Sequence, residues 1–248
     1  MLDLSHYKSA SQRARVFSED WIESNFQCPR CAGHLKRTPN NTSAKDFVCD
    51  RCTYGFEVKS KRGLFGGHVV DGAYQTMLTA VRSGTGSHLV LLSYTLDYQV
   101  REVITVPRRF LVEEIVIPRK PLGSHCRRAG WQGCNLNIGM LPPDGRIVCF
   151  ANFEKLPVDK IKAAWDRTAF LDDYSSSTRG WLAVTMGLIR RLAKDQFNLT
   201  DLYGLEAEAS KIFPKNTHIR AKMRQQLQRL RDIGWLRFEG KGNYSITS

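Results

Sequence analysis

Two sets of residues in this sequence have the types and spacing to do chemistry. Cys28-Pro-Arg-Cys31 and Cys49-Asp-Arg-Cys52 are two Cys-x-x-Cys knuckles. Each tight turn presents two sulfurs, so the pair supplies the four thiolates of a tetrahedral zinc site. Four cysteines leave no open position for a substrate, which makes such a zinc structural. Two disulfides fit less well in a chain of seven cysteines that keeps Cys126, Cys134 and Cys149 in reserve and has no secretion signal. The second set is Asp46 and the pair Glu57-Val-Lys59. Residues two apart on a strand share a face, so Glu57 and Lys59 present a carboxylate and an ammonium to one surface while Phe56 and Val58 turn to the other. Asp46 lies on the preceding strand, where antiparallel pairing brings its carboxylate beside that of Glu57. Two close carboxylates suit a hard cation such as Mg2+, and an adjacent lysine can act on a water that attacks phosphorus.

Asp followed by Glu-x-Lys on the next strand is the pattern written PD-(D/E)xK in nucleases. At loose spacing it also describes an exposed strand face with solvated charges. Its placement favours the nuclease, because the second knuckle lies between the two strands and a metal there stiffens the hairpin that carries all three residues. The charge agrees: 37 Lys and Arg against 24 Asp and Glu give +13 and a pI near 9.6, which calls for a polyanionic partner, nucleic acid first. No apolar run reaches the ~18 residues of a membrane span. The expectation is a cytoplasmic chain that does not bind a membrane and is a monomer in solution.

The elements that must position these residues follow from periodicity. Residues 8–24 read as a helix, Lys45–Cys49 and Gly55–Ser60 as a hairpin closed by metal, 71–82 as a helix, and His88–Thr95 as a buried strand. Further strands are expected at Glu102–Val106, Glu114–Ile117 and Arg146–Phe150, giving an α/β fold with a mixed sheet. From about Pro157 helices dominate: 157–167, 179–194, 199–212 and 217–233, followed by a Gly-tipped hairpin. The polar stretch Asp172–Thr178 marks a boundary, so residues 1–175 form a nuclease domain and 176–248 a winged helix-turn-helix domain. The smaller one is the more basic for its length, with 13 basic and 6 acidic side chains.

In the run from Lys215 to Arg231, Ile219, Met223, Leu227 and Leu230 form an apolar stripe, and Asn216 or Thr217 can cap the helix. As a recognition helix it brings Asn216, Thr217, His218 and Arg220 to base edges and leaves Arg224 and Arg229, with Lys241 in the wing, for phosphates. The competing assignment is a solvated helix packed on the larger domain. Two readings also stand for Arg127-Arg-Ala-Gly-Trp131: a loop whose tryptophan closes the core, or Arg127 and Arg128 on phosphates with Trp131 against a base.

Asp46-Phe-Val-Cys49, Phe56-Glu-Val-Lys-Ser-Lys61, Asp71-Gly-Ala-Tyr74, Arg127-Arg-Ala-Gly-Trp131, Ser177-Thr-Arg-Gly-Trp181 and Arg224-Gln-Gln-Leu-Gln-Arg-Leu-Arg-Asp232 together resemble the DpnI family of methyl-directed restriction endonucleases. The likeness runs from about Tyr7 to Tyr244. It implies a zinc-bearing PD-(D/E)xK domain, a winged-helix domain, and Mg2+-dependent type II cleavage of double-stranded DNA at adenine-methylated GATC (Gm6ATC), with both domains reading the methylated site. Carried over by residue, Asp46, Glu57 and Lys59 form the catalytic group, Asp46 and Glu57 hold Mg2+, and Trp131 meets the methyladenine. The first knuckle, residues 62–70 and Lys215–Ile219 depart from the family pattern, which leaves exact specificity less determined than the chemistry. The alternative from another class is a non-catalytic zinc-containing DNA-binding regulator, separated from the nuclease by a metal-dependent cleavage assay. A repair nuclease or RNA-directed enzyme with the same core is separated by comparing methylated with unmethylated duplex.

Overall fold

Ser9 opens the first helix: its hydroxyl accepts the Gln12 amide, and α1 runs over Ala10–Asn25 with Ile22 buried. The computed structural model describes residues 3–39 and 45–247. Beyond α1 come β1 (Leu35–Arg37), β2 (Phe47–Cys49), β3 (Gly55–Arg62), β4 (His68–Ala73), α2 (Tyr74–Ser83), β5 (His88–Tyr94) and β6 (Val100–Val106). They are followed by β7 (Val116–Pro118), β8 (Gly133–Asn137), β9 (Ile147–Ala151), β10 (Glu154–Lys155) and α3 (Val158–Asp166).

These strands make two sheets, one of seven strands in the order β1-β2-β3-β5-β6-β9-β10 and one of three in the order β4-β8-β7. The central pair of the larger sheet, β3 with β5, is parallel, and its other ladders are antiparallel. A parallel pair needs a crossover, and β4 with α2 supplies it. β5 is buried along its whole length, as a continuous apolar run in the centre of a covered sheet should be. Its side chains alternate between two cores. Val90, Leu92 and Tyr94 join Ile22, Phe47, Phe56 and Trp165 on the face covered by α1 and α3. Leu89 and Leu91 join Leu78 and Val81 of α2 and Leu136 of the small sheet on the other.

Residues 71–73, expected as the start of a helix, instead finish β4, because Asp71 and Ala73 pair with Cys134 and Gly133 across a bulge. The loop that bears Arg127 and Trp131 runs straight into β8 for the same reason. The expected strand Glu114–Ile117 begins as a 3-10 turn over Glu113–Ile115 and continues into β7.

The C-terminal part begins with α4 (Ser176–Arg191), capped by the Ser175 hydroxyl on the Thr178 amide. Then come β11 (Gln196–Asn198), α5 (Leu199–Tyr203), α6 (Glu206–Ile212), α7 (Ile219–Asp232), β12 (Leu236–Gly240) and β13 (Asn243–Ile246), with a three-stranded sheet in the order β11-β13-β12. Residues 199–212 thus form two short helices that break at Gly204, rather than one. α4 is buried from Arg179 to Ile189 because both parts of the chain pack on it. On one side Leu227 and Leu230 of α7 share its core, and Trp181 stacks on Phe213 with ring centroids 3.6 Å apart. On the other, Gly187 approaches the Met140 carbonyl so closely that an added Cβ would stand 3.1 Å from it. Arg190 donates two hydrogen bonds to the buried Asp144 carboxylate at 2.8 and 2.9 Å.

The segment leading into α4 is tied down by a buried guanidinium. Arg109, 1 % exposed, donates to the Thr168 hydroxyl, the Trp165 carbonyl and, at 3.0 Å, the Asp172 carboxylate, and lies 4.6 Å from the Trp165 ring centroid. Burial pulls its pKa below the usual arginine value, while Asp172 opposes that shift. Removing the carboxylate leaves the charge uncompensated in the core. We expect Asp172→Ala to lower unfolding free energy by about 2 kcal/mol in urea titration, somewhat under the value for a fully buried pair because Asp172 is partly hydrated. A loss below about 0.5 kcal/mol, the level of ordinary surface substitutions, would show that Arg109 does not depend on this partner.

Candidate active site and metal centre

The two knuckles fold in the same way. In the first, the Cys28 amide donates to the Gly33 carbonyl and the Ala32 amide to the Cys28 carbonyl; in the second, Cys49 and Tyr54, then Thr53 and Cys49, repeat both bonds. Ala32 and Thr53 take the same left-handed conformation, with φ of 57° and 59°. The turns aim backbone amides at the sulfurs: Arg30 and Cys31 at Cys28, Arg51 and Cys52 at Cys49. All seven cysteines are free, and the four knuckle sulfurs lie within 4.8 Å of one another. The Cys28–Cys52 and Cys31–Cys49 sulfurs are 3.6 and 3.5 Å apart. Tetrahedral zinc at ~2.3 Å from each sulfur asks for sulfur pairs about 3.8 Å apart, so the cluster is shaped to hold such an ion. Burial pushes the Cys28 thiol up.

The hairpin between the knuckles and the centre of the sheet carries the acidic residues. Its register sets Phe47 against Phe56 and Val48 against Gly55, which places Asp46 across from Glu57. Here β2 ends and the carboxylate continues the ladder: the Asp46 amide donates to the Phe56 carbonyl at 2.9 Å, and Asp46 Oδ2 accepts the Val58 amide at 2.7 Å. Phe56 and Val58 pack into the core beneath α1, so Glu57 and Lys59 face α2 and the small sheet.

Lys59 Nζ lies 2.5 Å from Glu57 Oε1 and 2.7 Å from Asp71 Oδ1. Burial works against its charge, but the two carboxylates outweigh it and hold the ammonium above its usual range. Burial raises the Glu57 carboxyl; Lys59 opposes this, and Asp71 and Asp46 add to it. Asp71 was not foreseen as a site residue because periodicity put it at the start of a helix. The signal lay in the Asp71-Gly-Ala-Tyr74 motif, where a buried acid precedes a glycine whose amide it accepts at 2.6 Å. Glu57 and Asp71 line a cavity of about 220 Å³ with Thr76, Met77 and Arg108. A further basic feature also escaped the sequence reading: the guanidiniums of Arg30 and Arg108 lie 4.6 and 5.2 Å from the Tyr54 ring centroid.

Arg127 and Arg128 are exposed, Trp131 is half-buried, and the Arg128 guanidinium lies 4.5 Å from the indole centroid. The indole rests on Gly133, where an added Cβ would come within 2.9 Å of it. The Gln132 carbonyl accepts the Tyr74 amide, which fastens this loop to the junction of β4 and α2.

In the C-terminal part, α6 and α7 form a helix-turn-helix. His218, rather than Asn216 or Thr217, stands at the N-cap of α7, and Asn216 accepts the His218 amide at 2.8 Å in the turn before it. Thr217, His218, Arg224 and Lys241 are exposed, Lys241 at the tip of the β12–β13 hairpin with φ of 50°. Arg220 pairs with Glu206 at 2.7 Å and lies over Tyr203, bracing α7 on the preceding helices. Arg229 donates to Gln226 and leans toward Tyr174.

Family comparisons match both parts of the chain: residues 3–174 fit the DpnI, or Dam-replacing, family, and residues 177–246 fit the Dam-replacing HTH domain. With a four-cysteine cluster, a mixed sheet and a helix-turn-helix in the matching places, the chain belongs to the Dam-replacing DpnI family.

Proposed function

We propose that this chain is a Mg2+-dependent type II restriction endonuclease that hydrolyses double-stranded DNA at adenine-methylated GATC, with residues 1–175 as a PD-(D/E)xK nuclease and 176–248 as a winged-helix DNA-binding domain. The observation that carries this reading is the meeting of Asp46, Glu57 and Lys59 on one sheet face of a basic chain whose family pairs that sheet with a helix-turn-helix. The donor set suits a hard cation: Asp46 keeps one oxygen free of the Val58 amide, and Glu57 is close enough to sense its charge. Bound there, Mg2+ would polarise the scissile phosphate and acidify a water.

The rest of the chemistry belongs to the chain. The water oxygen forms a bond to phosphorus and loses a proton to solvent. The bond from phosphorus to the 3′ oxygen breaks, and that oxygen leaves with the electron pair and takes up a proton, giving 5′-phosphate and 3′-hydroxyl ends. Lys59, held as an ammonium by its carboxylates, serves as a donor and positive charge beside the attacking water and the phosphate oxygens, not as the base. Trp131 offers an indole face to the methyladenine, Arg127 and Arg128 neutralise phosphates, and α7 enters the major groove with Asn216, Thr217, His218 and Arg220 foremost. Arg224, Arg229 and Lys241 contact the backbone. Zinc in the four-cysteine site holds the hairpin.

Three outcomes follow. Asp46→Asn and Glu57→Gln should each lower cleavage of a Gm6ATC duplex at least about a hundredfold while leaving its binding within a few-fold, since affinity rests on phosphate contacts. An Asp46→Asn protein that cuts near the parent rate removes the catalytic assignment; a parent that binds but never cuts leaves the regulator reading. A methyl group packed on one aromatic face contributes only ~1 kcal/mol, roughly fivefold, so Trp131→Ala in the Asp46→Asn background should lower the ratio of affinities for methylated over unmethylated duplex about fivefold, with an unchanged ratio excluding that contact. Metal analysis should find one zinc per chain, and Cys49→Ser should lower the melting temperature; a full-stability serine variant or a zinc-free protein would show the cluster to be something else.

A further inference from the structure

Asp71 lies on β4, in the small sheet, while Glu57 and Lys59 lie on β3 of the large one. Its side chain is 3 % exposed. One oxygen accepts both the Gly72 amide at 2.6 Å and the Lys59 ammonium at 2.7 Å. The other, Oδ2, is buried without a hydrogen-bond partner. A buried carboxylate oxygen left bare is costly, and Asp71 is one of the residues that line the site's cavity, which points to a partner drawn from the site itself.

The geometry also states a difficulty. The ammonium sits 2.5 Å from Glu57 Oε1, so it competes with a cation that takes this oxygen or both oxygens of the carboxylate. Two positive charges cannot share that oxygen closely, and such ligation requires the lysine to yield it without leaving the site. We propose that Asp71 is a positioning residue that takes over the Lys59 ammonium when metal binds, its bare Oδ2 accepting the hydrogen bond that Glu57 gives up, so that Glu57 is released and Lys59 stays beside the attacking water. This inference rests on the proposed nuclease function. Neither the acid–Lys pattern nor the metal ligands require a fourth residue; the contact from a second sheet and the unpartnered oxygen do.

The test reads metal affinity as well as rate, with the full-length protein and Mn2+ as the probe, free ion being counted by electron paramagnetic resonance. Asp71→Asn keeps the side chain's shape and its acceptor for the Gly72 amide but loses the charge that draws Lys59 off Glu57. Mn2+ binding should weaken about tenfold, and kcat for the Gm6ATC duplex should fall about ten- to a hundredfold with KM for DNA unchanged, the range seen when a partner of a metal-ligand group is removed. In Lys59→Met/Asp71→Asn no ammonium competes, and Mn2+ affinity should return to the parent level while cleavage stays as low as in Lys59→Met alone. Parent-like affinity and rate in Asp71→Asn would overturn the proposal. So would a double variant that binds Mn2+ as weakly as the single one, which would make Asp71 a direct ligand, or an Asp71→Asn protein without a cooperative melt, which would make it purely structural. A parent that neither cleaves nor binds Mn2+ at this site refutes the nuclease reading itself.

Discussion

A lysine ammonium removed from water has to be surrounded by negative charge, and much of the N-terminal part is arranged to do that at Lys59. Its own strand supplies Glu57 two residues away, which any Glu-x-Lys sequence would do. Asp71 has to come from elsewhere, and it arrives because β4 leaves the large sheet, pairs with β8 in a second sheet, and returns the chain through α2 to β5. The parallel neighbour of β3, β5, is therefore reached by a crossover that carries the second counter-charge with it. Topology and electrostatics are one requirement here: the parallel β3–β5 pair needs a long connection, and that connection delivers the carboxylate.

The same small sheet joins the Lys59 cluster to the Arg127–Trp131 loop. Asp71 pairs with Cys134, three residues beyond Trp131, and Tyr74 fastens its amide to the Gln132 carbonyl. The loop bearing Arg127, Arg128 and Trp131 is thus an extension of the ladder that holds Lys59. At the far side, α4 is shared between the sheets and the helix-turn-helix, through Arg190 on Asp144 and Trp181 on Phe213, with one apolar cluster running from Val69 to Tyr244. The helix-turn-helix part is packed into the mixed-sheet part, so its placement relative to the Lys59 cluster is set by core packing and not by a free linker.

Much of this was legible in the sequence because it is local or periodic. Cys-x-x-Cys specifies its own turn, Phe56 and Val58 alternate with Glu57 and Lys59, and the unbroken apolar run of β5 announces a covered strand. What escaped was long-range. Asp71 to Ala73 are followed by the amphipathic helix Tyr74–Ser83, and periodicity alone extends that helix backward over them; only the partner strand at Gly133–Asn137, itself hidden behind glycines and an asparagine, makes them β. Arg109 gave no sign of being buried, since its reasons to be so, Trp165, Thr168 and Asp172, come more than fifty residues later. The ion pair that Arg220 makes with Glu206 of the preceding helix is likewise invisible from the sequence of α7 alone.

Both candidate metal positions are built on a single hairpin, and the arrangement keeps them chemically apart. Soft thiolates sit at the turn end, where knuckle amides point at sulfur; the carboxylates sit at the other end of the short β2 ladder, where Asp46 replaces a strand residue as acceptor for Val58. Between them are Phe47 and Phe56, both fully buried. The two aromatics leave no polar side chain at the intervening rung, so the sulfur cluster and the carboxylates share no ligand across it. Rigidity is transmitted instead of ligands: fixing Cys49 fixes the register of Phe47 on Phe56, and that register is what sets Asp46 opposite Glu57. A one-residue slip of β2 on β3 would carry Phe47 off the apolar core beneath α1 and Asp46 away from Glu57, whose own face is held by the β3–β5 pairing, and a filled cysteine cluster would forbid that slip.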